Sequence, residues 1–188
     1  MNPFKPITLP TKRLILRFLY EGDLPALYSI HSHPEVMRYW NFPPWTDTDQ
    51  AVQMLNDSLE SYQDGSGLRL GIERKSDRNL VGVCSLFQFH EHSRRAEIGY
   101  LLGRPHWGFG YMHEALQALL EYAYNCMQLN RLEADIDPRN TASAKTLDRL
   151  GFKKEGHLRE RWIVGDEITD TWLYGLLHKE WQESSKKG

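Results

Sequence analysis

Cysteine is scarce in this chain. Only Cys84 and Cys126 occur in 188 residues, which excludes a scaffold stapled by disulfides. Both fall in segments that read as core and neither has a partner pattern, so both are expected to be buried free thiols. An excess of one charge is also missing: 23 Lys and Arg stand against 25 Asp and Glu, a formal net charge of −2. Nucleic acids and anionic membrane surfaces are bound through a basic excess, so neither is an expected partner. No apolar run approaches membrane-spanning length, and Lys12, Arg13 and Arg17 break up the N-terminal segment before it reads as a signal peptide. A cytoplasmic location is therefore expected. Repeats, linkers and low-complexity stretches are lacking too, apart from a polar tail, Ser184 to Gly188, expected to fray. What remains is one globular domain, residues 1–188, with 40% hydrophobic residues and enough chain to bury a sizeable core.

Periodicity assigns the elements. Arg13 to Leu19 alternates as a first strand. Asp23 reads as the cap of a helix with Pro25 in its first turn and Leu24, Leu27 and Ile30 on one face, ending before Pro34. Thr46 with Asp49 resembles a capping box for a second helix with Val52, Leu55, Leu59 and Tyr62 facing inward, closed at Asp64-Gly65. Strands follow at Leu68 to Glu73, Leu80 to Phe89 and Ala96 to Leu102. Met112, Ala115, Leu116, Leu119, Ala123 and Met127 recur at helical spacing from Tyr111 onward. A strand at Arg131 to Ile136, a helix at Asn140 to Leu150 stopped by Gly151, and two strands at Lys153 to Val164 and Ile168 to Leu177 complete a mixed α/β sheet covered by helices.

The stretch from Glu97 to Ala115 carries the chemistry. A strand runs into a loop containing Gly108 and Gly110, and a long helix follows. A helix opening leaves its first N–H groups without intrahelical partners and carries partial positive charge, so a glycine loop feeding it can wrap a phosphate with main-chain donors. A Walker loop is excluded because Phe109 stands where its lysine must be. A dinucleotide fingerprint is excluded because His113 occupies the place of its third glycine.

Four blocks in order resemble the Gcn5-related N-acetyltransferases (GNAT), and within them the ribosomal-protein N-terminal acetyltransferases of the RimJ/RimL type. They are Glu97-Ile98-Gly99-Tyr100; Trp107-Gly108-Phe109-Gly110-Tyr111; Glu114-Ala115; and Asn140, Ser143, Leu147, Arg149 and Leu150-Gly151-Phe152. Weaker likeness reaches Lys12-Arg13-Leu14, Asp170 and Tyr174. The chain departs from the branch at Phe109, where a basic residue is usual, and at Met112, where a small one is usual; the first removes a charge near the phosphates and the second is expected to crowd the loop. The resemblance implies an acyl-CoA N-acyltransferase fold, with a mixed sheet of about seven strands splayed at the middle and about four flanking helices. It also implies acetyl-CoA as co-substrate and no metal.

In that family the pantetheine and thioester oxygen lie along the central strand, here Tyr100, Leu101 and Leu102. The pyrophosphate lies on the main chain of Trp107, Gly108, Phe109, Gly110, Tyr111 and Met112. The resemblance places Asn140 beside the pantetheine and Ser143 near the sulfur, although both residue types also cap helices. Lys145, with Arg149 and Arg104, could reach the adenosine phosphate or simply be solvated. Transfer to an amine requires a base, an oxyanion site and a proton for the thiolate. Glu97 is the candidate base, Ser143 the candidate donor to the sulfur, and Glu114 a residue compensating the helix dipole. Trp40, Trp45, Trp162 and Tyr174 could wall an acceptor site. His31/His33 and His90/His92 have ligand-like spacing without a third ligand.

The expected activity is direct acetyl transfer to a primary amine, on a protein N-terminus or a small molecule, with no covalent intermediate. A non-catalytic acyl-CoA-binding module is the alternative that Phe109 and Met112 raise. A DNA-binding regulator is disfavoured by charge, and monomer and homodimer both stay open.

Overall fold

The computed structural model describes residues 3–185. Its single sheet has eight strands in the order β1-β2-β3-β4-β5-β6-β8-β7. They are β1 (Thr8–Pro10), β2 (Leu14–Phe18), β3 (Leu68–Arg74), β4 (Leu80–His90), β5 (Arg95–Leu102), β6 (Arg131–Ile136), β7 (Lys153–Val164) and β8 (Glu167–Leu177). Every neighbouring pair is antiparallel except β5 and β6, whose parallel pairing is made possible by the crossover helix α4 (Tyr111–Glu121). The remaining helices are α1 (Leu24–His31), α2 (Pro34–Met37), α3 (Asp49–Asp64), α5 (Thr141–Arg149) and α6 (His178–Ser185).

Alternation along the strands divides the interior between the two faces of the sheet. Leu14, Leu16, Leu70, Ile72 and Leu132 join Ala115, Leu116 and Leu119 of α4 in the larger cluster, which also holds Leu147 of α5. Each such fully buried aliphatic side chain contributes about 1.5–3 kcal/mol. On the opposite face, Val83 and Leu101 pack against Leu27 and Ile30 of α1 and Leu55 of α3. Of the positions expected at helical spacing, Met112, Ala115, Leu116, Leu119 and Ala123 are buried, whereas Met127 lies past the helix and is half-buried; Leu120 and Tyr124 are buried as well.

Several expectations need correcting. The N-terminal edge strand β1 and the short helices α2 and α6 were not foreseen, because elements of three, four and eight residues carry little periodicity. No Thr46 capping box forms: α3 begins at Asp49, Asp47 Oδ1 accepts the Asp49 N–H at 2.9 Å, and Gln50 Oε1 accepts the N–H of Thr46. Its inward face is Ala51, Leu55, Ser58 and Tyr62, which leaves Val52 and Leu59 exposed. Asp23 does not cap α1. Its carboxylate takes Arg17 through both terminal nitrogens at 2.8 and 2.9 Å. Arg17 also donates to Glu73 at 2.6 Å. Burial works against the Arg17 charge, yet the bonds to Asp23 and Glu73 hold its pKa above the usual arginine value. After Glu121 the helix widens into a π-helical turn, Tyr122–Cys126, which turns Cys126 out to solvent; only Cys84 is a buried thiol. The tail expected to fray overlaps the end of α6 at Ser184 and Ser185, and residues 186–188 lie outside the described residues.

Candidate active site

The site opens where the sheet comes apart. β5 and β6 pair only at Arg95 with Arg131, Ala96 with Leu132 and Glu97 with Glu133. Beyond that, β5 follows β4 as far as Leu102 opposite Gly82, while β6 follows β8 as far as Ile136 opposite Trp172. A cavity of about 420 Å³ fills the splay, with Glu97 to Tyr100 on one wall and Ala134 to Asp137 on the other.

On the face carrying α4 and α5, the loop after β5 is built for main-chain contact. Gly108 and Gly110 take φ of +82° and +76°, a left-handed conformation in which a side chain would be strained. Gly110 is the N-cap of α4 and has no side chain to satisfy the helix, so the first N–H groups of the helix are left for a ligand. Met112 does not crowd this loop; its side chain is buried in the larger core. Phe109 is exposed and stacks on Tyr111, with ring centres 5.8 Å apart. Sequence reasoning missed the residue that shapes the loop. Arg13 donates through Nη1 to the Phe109 carbonyl at 2.8 Å and through Nε to Glu114 at 2.6 Å, and its guanidinium lies over the Tyr111 ring. A guanidinium therefore stands beside the loop although Phe109 supplies no charge. Glu114 also accepts the Thr11 hydroxyl and the Arg13 N–H. Burial works the other way, but these donors hold its carboxyl below the usual range. It is a tether to the chain before β2 more than a neutraliser of the helix dipole.

The start of α5 faces the same wall. Asn140 Oδ1 accepts the Ser143 N–H at 3.1 Å, so Asn140 does cap its helix. The Ser143 hydroxyl is 2.6 Å from the Tyr100 hydroxyl. Burial raises the Tyr100 pKa, so the phenol stays protonated at neutral pH. The helix α5 contains no tyrosine, but β5 delivers one to its serine. Lys145 and Arg149 are exposed on α5, whereas Arg104 is held by Glu35 at 2.6 Å.

On the opposite face, Glu97 is half-buried at the point where β5 and β6 part. Burial, then the nearby Asp135 and Glu133, raise its carboxyl above the usual value. Asp135 itself accepts the Thr171 hydroxyl at 2.8 Å. Trp40 and Trp162 line the cavity with Tyr39 and Phe42. The other two expected aromatics do not. Trp45 is buried against His31 with ring centres 4.2 Å apart, and Tyr174 is buried in the larger core. His31 is likewise committed, its Nδ1 bonded to the Leu27 carbonyl at 2.9 Å. Among the described residues no group of three side chains could hold a metal ion.

The family model described as an acetyltransferase (GNAT) domain matches residues 13–153. The chain belongs to the GNAT acetyltransferases. It is 41% identical over 178 residues to an uncharacterized N-acetyltransferase, p20, of Bacillus licheniformis, covering 93% of this chain and 98% of that one. It is 27% identical to the ribosomal protein uS5-alanine N-acetyltransferase of Escherichia coli, covering 93% of each. The spermidine N-acetyltransferase of Vibrio cholerae, solved with CoA and spermine, superposes with a TM-score of 0.81 at 23% identity, covering 90% of this chain and 98% of that one. The GNAT fold is thus present, with eight strands where about seven were expected, and the RimJ/RimL-like branch is supported. As a GNAT enzyme the protein takes acetyl-CoA as co-substrate and acetylates an amine. Among the described residues no helix is long and apolar enough to cross a membrane.

Proposed function

We propose that this enzyme acetylates a primary amine by direct transfer in a ternary complex, with donor and acceptor entering the splay from opposite faces of the sheet. The observation that carries this reading is the cavity itself. It reaches Tyr100 and Ser143 on one side and Glu97 on the other without a break.

The N–H groups from Gly108 to Met112 would hold the pyrophosphate, with Trp107 beside them. The β5 main chain from Tyr100 to Leu102, released from pairing with β6, would hold the pantetheine and the thioester oxygen, where negative charge develops. Glu97 removes a proton from the amine, directly or through a water; its raised pKa brings it nearer the basicity the task needs. The Ser143 hydroxyl, backed by the Tyr100 phenol, donates toward the departing thiolate. Neither thiol is placed to be a nucleophile: Cys84 is fully buried and Cys126 lies at the far end of the α4 crossover. Lys145 would lie near the adenosine end. Trp40 and Trp162 would flank the acceptor. A buried, unpaired Cys84 suits a reducing, cytoplasmic setting.

Relatives act on acceptors as different as spermidine and a ribosomal protein alanine, so an amine is the feature the family shares. Release of free thiol from acetyl-CoA across amines, amino acids, peptides and polyamines tests the reading. Acceptor-dependent release that Glu97→Gln abolishes, with CoA binding retained, is expected. Release at the wild-type rate in that variant would remove Glu97 from the mechanism.

A further inference from the structure

The acceptor side of the cavity holds a cation that this chemistry leaves unused. Arg69 of β3 lines the cavity. Strand register puts it opposite Ser85, and Ser85 opposite Gly99, so the three form a row on the face that carries α1 and α3. Glu97 lies two residues along β5 on that same face. The Arg69 guanidinium donates through Nη1 to Ser58 Oγ at 2.7 Å and toward the Met54 carbonyl at 3.5 Å. Among the described residues Nε and Nη2 have no hydrogen-bond partner and no carboxylate pairs with the group. Burial pulls its pKa below the ordinary arginine value, and the more distant Tyr62 and Asp57 offset this only in part. His31, also on the cavity wall, cannot help: burial, with Arg69 nearby, lowers it to about 4, so it is neutral at pH 7. Elsewhere the partly buried arginines are matched, Arg17 by Asp23 and Glu73, and Arg131 by Glu133 and Glu155. An unmatched guanidinium is costly to bury unless a ligand supplies the anion.

We propose that the acceptor is an amino-carboxylic acid, its carboxylate received by Nε and Nη2 of Arg69 and its amine presented to Glu97. This rests on the acetyl-transfer reading of the same cavity and names the substrate class. Two strands and two residues separate the Cα atoms of Arg69 and Glu97, about 12 Å from ordinary strand spacings. After the reach of the two side chains, the gap suits a short zwitterion, an amino acid or dipeptide. Gly99 between them makes room for the Phe87 ring, which lines the same cavity and which a Cβ there would meet at 3.1 Å. A planar guanidinium matches a carboxylate fork. One cation balances one negative charge, so a phosphate dianion would be left half compensated. A polyamine would set an ammonium against Arg69.

Initial rates with saturating acetyl-CoA test this on amino acids and dipeptides, their C-terminal amides, the corresponding amines without a carboxylate, phosphoethanolamine and spermine. The free acids are expected to exceed their amides at least about tenfold in kcat/KM, as befits a charge-assisted bidentate contact. Arg69→Leu should erase that ratio by raising KM for the acids, with KM for acetyl-CoA as the check that the fold is intact; Arg69→Lys should restore part of it. Equal or better use of amides, phosphoethanolamine or spermine by the wild type overturns the proposal, and so does a ratio that survives Arg69→Leu. Calorimetry of an N-acetyl dipeptide and its amide with the CoA-loaded wild type decides the anion site separately from turnover: equal affinity sinks it, tighter binding of the acid supports it. Absence of thiol release with every acceptor, beside tighter binding of the acid, overturns the transfer reading alone.

Discussion

The two faces of the sheet meet one cavity with different materials. On the α4 and α5 face the wall is mostly main chain: free N–H groups at the start of α4 and the unpaired edge of β5, with Ser143 and Tyr100 as the hydroxyls. On the α1 and α3 face it is side chains drawn from far apart, Trp40, Arg69, Glu97, Asp135 and Trp162. Main-chain recognition suits a ligand that never changes, because it tolerates drift in every side chain except the glycines that make room for it. Side-chain recognition suits a ligand that differs between relatives.

Four substitutions sharpen or break that contrast. Glu97→Gln acts on the acceptor face alone: kcat should fall about 10²–10⁴-fold, the range for loss of a general base, with CoA affinity unchanged by calorimetry. Because burial raises the Glu97 carboxyl, the charged, active form is lost as pH falls through a value above 4.5. The acid limb of the wild-type kcat/KM profile should therefore lie above the ordinary glutamate range and vanish in the variant. Arg17→Met breaks the support under α1, leaves Asp23, 3% exposed, without its cation, and leaves Glu73, 2% exposed, with Arg78 alone. Denaturant unfolding should show a loss of about 3–5 kcal/mol, while KM for acetyl-CoA in the folded fraction holds. Gly110→Val acts on the donor face: a left-handed φ costs a branched residue about 1–2 kcal/mol and its side chain intrudes on the loop, so KM for acetyl-CoA should rise about tenfold or more with kcat for bound substrate little altered. Tyr100→Phe removes one hydrogen bond to Ser143 and should lower kcat about 3–10-fold, the worth of a single bond near 1 kcal/mol. If Tyr100→Phe rivals Glu97→Gln, the donor face is more than a main-chain platform.

The same contrast explains what could be read beforehand. The local geometry of the α4 and α5 face was legible because its determinants are contiguous: Gly108 and Gly110 sit next to the helix they open, and Asn140 lies three residues from the N–H it caps. Long periodic elements, α4 and the central strands, were legible for the same reason. Residues whose role depends on partners 40 to 100 positions away were not. Arg13 is one of four charged residues among the first twenty until the fold brings it to the Phe109 carbonyl, 96 positions on. Tyr100 was read for its main chain, since nothing local reveals that its hydroxyl meets Ser143, 43 residues on. Trp45 and Tyr174 show the opposite error: an aromatic at an apolar spacing gives no sign of whether it walls a pocket or fills a core. Asp23 looked like a cap because its type and place suit one, but a buried Arg17 outbid the helix for its carboxylate.

Three residue pairs are all that stitch β5 to β6. The strands on either side, β2 to β5 and β6 to β8, are held by longer antiparallel ladders. Across that narrow seam the halves are joined by the larger core instead, where Leu14 and Ile72 share one cluster with Leu132 and Leu176, and by the Tyr124 hydroxyl donating to the Leu176 carbonyl at 2.8 Å, so the splay stays open while the body holds together. Descendants of such a molecule could trade guests through side chains of either half, since Trp40 and Arg69 lie before the seam and Asp135 and Trp162 beyond it.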